Sequence, residues 1–217
     1  MSTFVLVHGA GDGGWSWHLV AAELRRRGHD VVAPDLPADD DAVGLDRYTE
    51  VVVEAVGDRT DLVVVGHSFG AFTAPLAAAR LSADLLILVA GMVPKPGERP
   101  DEWWDATGYR SSTEYVDDDA IYYHDVPHEL AAEARRRERN HPSTAAGATP
   151  WPLPNWPDIP TKFVLCTEDR LFPADFQRRV VADRLAITPD ELAAGHYAAL
   201  ARPTELADLL DSYLPGR

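Results

Sequence analysis

The chain has 217 residues, a length that fits one domain and lets it bury roughly 70% of its unfolded surface. Its 20 Lys and Arg against 35 Asp and Glu give a formal net charge of -15, which excludes the basic footprint of a nucleic-acid binder or of a protein drawn to an anionic membrane. The single cysteine, Cys166, excludes an internal disulfide and a cysteine-rich zinc site, and no stretch approaches the roughly 18 apolar residues of a membrane span.

The first apolar run, residues 4–7, follows Met1 with no basic leader before it and no cleavage-site pattern after it. No signal peptide is expected, and the cytoplasm is the expected compartment. Trp17, Val20 and Leu24 then share one face of a predicted helix, which Gly28 stops. A second strand is predicted at 31–33, and Asp35 after it reads as a turn residue. Val52, Ala55 and Val56 mark a second helix, residues 62–65 a third strand, and Phe72, Leu76 and Leu81 a third helix. Pro75 falls inside that helix, where it should remove a hydrogen bond and kink the chain. Residues 85–89 read as a fourth strand.

The alternation breaks at about 93–160, a stretch rich in proline, tryptophan and tyrosine with one plausible helix at 129–140. It is too long for a simple loop, so it is expected to be a small cap inserted over the sheet edge. Residues 163–166 read as a further strand, and Pro203, Leu206, Leu209, Leu210 and Tyr213 as a terminal helix with proline near its start. The runs are continuously apolar, as strands covered on both faces are. The expectation is an α/β protein, residues 1–217 as one domain: a mostly parallel central sheet with helices on both faces. Such sheets bind ligands beyond the carboxyl ends of their strands. The short charge runs at 39–41, 117–119 and 135–137 read as solvated surface.

The motif with most chemistry is Gly66-His67-Ser68-Phe69-Gly70, the pattern G-x-S-x-G, set between a predicted strand and a predicted helix. A sharp turn there exposes the serine hydroxyl, and it needs the small neighbours Gly66 and Gly70. A serine hydroxyl is a weak nucleophile until a base takes its proton. In folds with this elbow the order is serine, acid, histidine. Of the eight histidines only His124, His128, His141 and His196 follow Ser68, the first three fall in the expected cap, and His196 sits where a sheet edge should end. The acid should follow the strand at 163–166, where Glu168 and Asp169 are adjacent. The spacing from Asp169 to Pro173 favours Asp169, with Glu168 the alternate. The backbone N–H of Phe69, with that of Ala10 in His8-Gly9-Ala10-Gly11, is the expected oxyanion hole. Gly9 would let a substrate oxygen come close to the backbone. The glycines up to Gly14 do not form G-x-G-x-x-G, so no dinucleotide is expected. Trp103, Trp104, Tyr122, Tyr123, Trp151 and Trp156 are expected to wall a small apolar pocket from the cap side.

Taken together, residues 8–17 (HGAGDGGWSW), the elbow 66–70, Cys166-Thr167-Glu168-Asp169-Arg170 and Phe176-Gln177-Arg178 resemble the plant methyl esterase and hydroxynitrile lyase branch of the α/β-hydrolases. The resemblance covers most of the chain outside the cap. It implies the α/β-hydrolase fold and Asp169, the aspartate of Thr-Glu-Asp, as the acid. The lyases of that branch carry threonine where Gly9 stands and lysine where Tyr197 stands, so the resemblance implies the esterase side. The expected activity is hydrolysis of a small carboxylic ester through an acyl-enzyme, by Ser68, His196 and Asp169 with no metal or organic cofactor. The expected partner is a small ester-like molecule, with no nucleic acid and no membrane. The alternatives are lyase, thioesterase or lactonase chemistry at the same site, or a receptor-like member of the fold that only binds its ligand.

Overall fold

The computed structural model describes residues 1–111, 117–140 and 142–214. Strand β1 (Thr3–Val7) leads through a 3₁₀ turn at Gly14–Trp17 into α1 (His18–Arg26), then β2 (Asp30–Val32), α2 (Leu45–Val56) and β3 (Leu62–His67). A second 3₁₀ turn, Ser68–Phe72, precedes α3 (Ala74–Leu81) and β4 (Leu85–Val89). The connection to β5 (Thr161–Cys166) carries a 3₁₀ turn at Pro100–Glu102, α4 (Trp103–Ala106), α5 (Asp118–Tyr122), α6 (His128–Arg137) and α7 (Thr144–Ala148). The chain ends through α8 (Ala174–Leu185), β6 (Asp190–Leu192), α9 (Ala198–Ala201) and α10 (Pro203–Ser212).

Among the described residues six strands form one sheet in the order β2-β1-β3-β4-β5-β6. Every neighbouring pair is parallel, as the alternation of strands and helices predicts. Side chains alternate across a strand, and β1 divides them between two cores. Phe4 and Leu6 pack with Trp17, Val20 and Leu24 of the first helical stretch and Leu206 and Leu210 of α10. Val5 and Val7 pack on the other face with Tyr48, Val52 and Val56 of α2, Leu76 of α3 and Val180 and Val181 of α8. All four β1 side chains from Phe4 to Val7 are wholly buried, each stabilising the fold by roughly 1.5–3 kcal/mol. This double burial explains the unbroken apolar runs.

Two local readings need correction. Pro75 does not kink a helix. The chain first makes the 3₁₀ turn Ser68–Phe72, and Pro75 then occupies the first turn of α3, where its missing N–H has no intrahelical acceptor to lose. The helix expected at 129–140 is α6, and it ends at Arg137. No helix among the described residues is long and apolar enough to cross a membrane.

Candidate active site

The carboxyl ends of β1, β3, β5 and β6 meet along one edge, and each is followed by a residue nominated from sequence. After β3 the chain turns so sharply that Ser68 has φ 49°, a left-handed conformation costing a side-chain-bearing residue about 1–3 kcal/mol. The glycines around it are required by packing. A Cβ on Gly66 would lie 2.7 Å from Ala74 Cβ, and one on Gly70 would lie 2.6 Å from the His8 carbonyl and 2.8 Å from that of Val7. The elbow thus presses directly on the loop that follows β1.

Asp169 sits three residues past the β5 end and is 5% exposed. Its Oδ1 accepts the Leu171 and Phe172 amides at 2.8 and 2.9 Å. Its Oδ2 lies 2.8 Å from His196 Nδ1. A carboxylate only accepts, so Nδ1 donates and Nε2 carries the free lone pair. That Nε2 lies 3.1 Å from Ser68 Oγ, in position to accept its proton. Ser68 and His196 are themselves buried. The arrangement couples a carboxylate, an imidazole in a defined tautomer and a hydroxyl in one line. Glu168 takes no part in it. Its backbone oxygen instead accepts from His124 Nε2 at 3.0 Å.

Two further histidines stiffen this edge. His67 Nε2 donates to the His196 carbonyl at 2.9 Å, and burial, with His196 adding to it, pushes its pKa down to about 3. His8 Nε2 accepts the Leu36 amide at 2.9 Å, so its Nδ1 is the donor to the Gly9 carbonyl at 2.8 Å. Burial lowers its pKa to about 4. Both rings are therefore neutral struts at neutral pH.

A cavity of about 320 Å³ opens over Ser68. Ala10, Ser68, Phe69 and His196 line it from the sheet side, and Trp104, Tyr122 and Tyr123 from the β4–β5 connection. The Phe69 N–H stands in the first turn of a 3₁₀ helix, where such groups lack intrahelical acceptors. Trp103, Trp151 and Trp156 do not line the cavity. Trp103 and Trp151 are each 1% exposed within the core, where their indole N–H groups bond the carbonyls of Val93 and Phe72. Trp156 stacks on Trp151 and donates to Thr161. Gly9 is not a lining residue either. Its missing side chain leaves room for His67 and Ser68, which a Cβ would meet at 3.1 Å.

The cavity also takes residues that were not nominated: Gly11, His67, Met92, Leu171 and Tyr197, with Asp101, Asp118, Arg135 and Glu138 around them. Met92 and Leu171 follow β4 and β5, and Tyr197 follows His196, so the strand-end rule could have found them. Tyr197 is stacked on Tyr123 with ring centroids 4.8 Å apart, and its hydroxyl lies beside the buried Asp12 carboxyl. Burial raises the Asp12 carboxyl well above its usual range, and Glu138 adds to the rise. Burial likewise pushes Tyr123 up to about 12. Of the other candidate histidines, His128 begins α6 with its side chain exposed, and His141 lies outside the described residues.

The family described as "Alpha/beta hydrolase family" matches residues 4–209. "Probable esterase PIR7A" of Oryza sativa subsp. indica is 29% identical over 252 residues, covering 95% of this chain and 94% of the relative. "Methylesterase 7" of Arabidopsis thaliana is 26% identical over 247 residues, covering 95% and 94%. The crystal structure of polyneuridine aldehyde esterase superposes with a TM-score of 0.82 at 21% identity, covering 98% of each chain, a likeness of fold.

Proposed function

The chain belongs to the alpha/beta hydrolase family, and on that premise we propose that it hydrolyses a small carboxylic ester, with Ser68 as nucleophile, His196 as base and Asp169 as the acid behind it. The observation that carries this is the line from Asp169 Oδ2 through His196 to Ser68 Oγ, at 2.8 and 3.1 Å. Relatives named esterases and methylesterases support the same bond type. His196 takes the Ser68 proton as Oγ attacks the acyl carbon. Asp169 stabilises the imidazolium that forms. The Ala10 and Phe69 amides receive the developing oxyanion, each such donor being worth about 3–4 kcal/mol of barrier. His196 then passes the proton to the leaving alcohol. Water activated by the same imidazole releases the acid and restores the serine.

In this reading the β4–β5 connection is the cap, and Trp104, Tyr122 and Tyr123 are the face it turns to the substrate. A cavity of about 320 Å³ lies at the small end of ligand sites, which suits short acyl and alcohol parts. A fluorophosphonate should label the wild-type chain at one position and spare Ser68→Ala, and p-nitrophenyl acetate turnover should vanish with the label. Labelling of Ser68→Ala at the wild-type rate removes Ser68 from this role.

A further inference from the structure

The β4–β5 connection reaches the loops that carry the proposed acid and base, and it does so through two adjacent side chains. His124 Nε2 donates to the Glu168 carbonyl at 3.0 Å, one residue before Asp169. Asp125 Oδ2 accepts the Gly195 amide at 2.7 Å, one residue before His196. A carboxylate accepting a backbone N–H at this length is a charge-assisted bond, roughly twice as strong as a neutral one. The pair is wedged closely: a Cβ on Gly195 would lie 2.4 Å from Asp125 Oδ1 and 2.8 Å from His124 Nε2. The same stretch makes further ties. Arg170 Nη1, on the Asp169 loop, donates to the Ala120 carbonyl at 2.8 Å. The Tyr122 ring stands edge-on to His196 with centroids 5.7 Å apart.

Neither β5 nor β6 can supply these ties. Beyond Cys166 and Leu192 the strands have ended, and the two loops touch through the Glu168 N–H to Ala194 carbonyl bond at 3.0 Å. Asp169 and His196 must stay within hydrogen-bond reach for the imidazole to keep its Nε2 lone pair toward Ser68. A misplacement of about 1 Å in such a pair costs about 100-fold in rate.

We propose that His124 and Asp125 are positioning residues, a clamp from the β4–β5 connection that holds the Asp169 loop and the His196 loop in mutual register. The inference rests on the serine-hydrolase reading. Gly195 has no side chain, and that space is where the clamp seats.

The test is the inactivation rate with a fluorophosphonate probe, resolved into the maximal rate and the half-saturating concentration, on variants that circular dichroism shows folded at the assay temperature. Asp125→Ala should lose about tenfold or more in maximal rate, while half-saturation moves by less than about twofold, the pattern of a group that acts on the transition state. Asp125→Asn retains an acceptor for the Gly195 amide and should recover most of the rate. His124→Ala should fall in the same direction. Should Asp125→Ala fail to fold, Gly195→Ala tests the clamp from its other side, since the new methyl must displace it, and it should show the same loss. The clamp is refuted by unchanged maximal rates, by a loss confined to half-saturation, or by Asn proving as damaging as Ala. A wild-type chain that takes no label at Ser68 sinks the hydrolase reading and the clamp with it. A labelled wild type with unaffected variants sinks the clamp alone.

Discussion

Replacing Asp169 by Asn tests the proposed chemistry most sharply, because the change is one atom and its consequence can be worked through the hydrogen bonds. The two carboxylate oxygens have unlike partners. Oδ1 receives two backbone donors, the Leu171 and Phe172 amides, and Oδ2 faces His196 Nδ1. An asparagine must keep its oxygen on the side with two donors, since turning its NH₂ there would set it against the Leu171 and Phe172 N–H groups and leave both unpaired in a buried site. The NH₂ therefore faces Nδ1 and donates to it. Nδ1 can accept only by giving up its proton, which places the proton on Nε2. Nε2 then presents N–H to Ser68 Oγ and cannot take its proton. The expected loss is about 10⁴-fold in kcat, equivalent to about 5 kcal/mol of barrier. Shape and both backbone bonds survive, so the melting temperature should fall by only a few degrees, about 1 kcal/mol of stability. The assay is kcat for p-nitrophenyl acetate, with Ser68→Ala as the background. A loss under about tenfold would mean that the carboxylate does not set the tautomer, and the assignment of Asp169 would fall.

Gly70→Ala should shift the urea midpoint by about 1–3 kcal/mol of stability, because its Cβ would meet the His8 and Val7 carbonyls at 2.6 and 2.8 Å and backbone cannot swing aside. Unchanged urea unfolding would contradict that packing. His8 and His67 have folded pKa values of about 4 and about 3 against 6.5 ordinarily, so the unfolded chain binds more protons as pH falls below 6.5. Stability is then lost from pH 6.5 downward, His8 alone removing about 3 kcal/mol by pH 4. His67→Gln, which keeps a donor for the His196 carbonyl, should flatten the fall of the urea midpoint over that window, and an unaltered slope would refute the assignment. Asp12 has the opposite sign: its raised folded pKa contributes stability below the ordinary value of 3.8 that is lost as pH rises. Asp12→Asn, which removes the charge at nearly the same volume, should therefore raise the melting temperature more at pH 8 than at pH 5, and an equal or reversed effect would show that the carboxylate is not destabilised by burial.

The strands inside the sheet were legible because burial on both faces leaves no room for polar residues. Residues 4–7, 62–65 and 163–166 read as apolar runs and lie within β1, β3 and β5. The edges were not. β2 is Asp30–Val32, one residue before its apolar run, and β6 is the three-residue strand Asp190–Leu192. An edge strand has one neighbour and needs little apolar sequence, so β6 is defined by its pairing with β5. Helix α8 was equally hidden, since Asp175, Arg178, Arg179, Asp183 and Arg184 interrupt its buried Val180 and Val181.

The site divides the same way, and for a reason that applies beyond it. The proposed nucleophile, acid and base, Ser68, Asp169 and His196, were legible because the proposed chemistry fixes their types and chain order fixes their places. The pocket wall obeys no such rule. Trp103 and Trp104 are adjacent in sequence, yet Trp103 is 1% exposed in the core against Phe172 while Trp104 lines the cavity. Which of two neighbouring tryptophans faces a substrate depends on how a four-residue helix rolls on the sheet edge. Composition is silent on that roll. The contacts that fix it, Trp103 Nε1 to the Val93 carbonyl and Trp151 Nε1 to the Phe72 carbonyl, join residues to backbone groups that every sequence possesses. Specificity in such a fold is therefore carried by the connection least constrained by the sheet. That is why the substrate's bond type can be argued from three residues and its shape only from the assembled cavity.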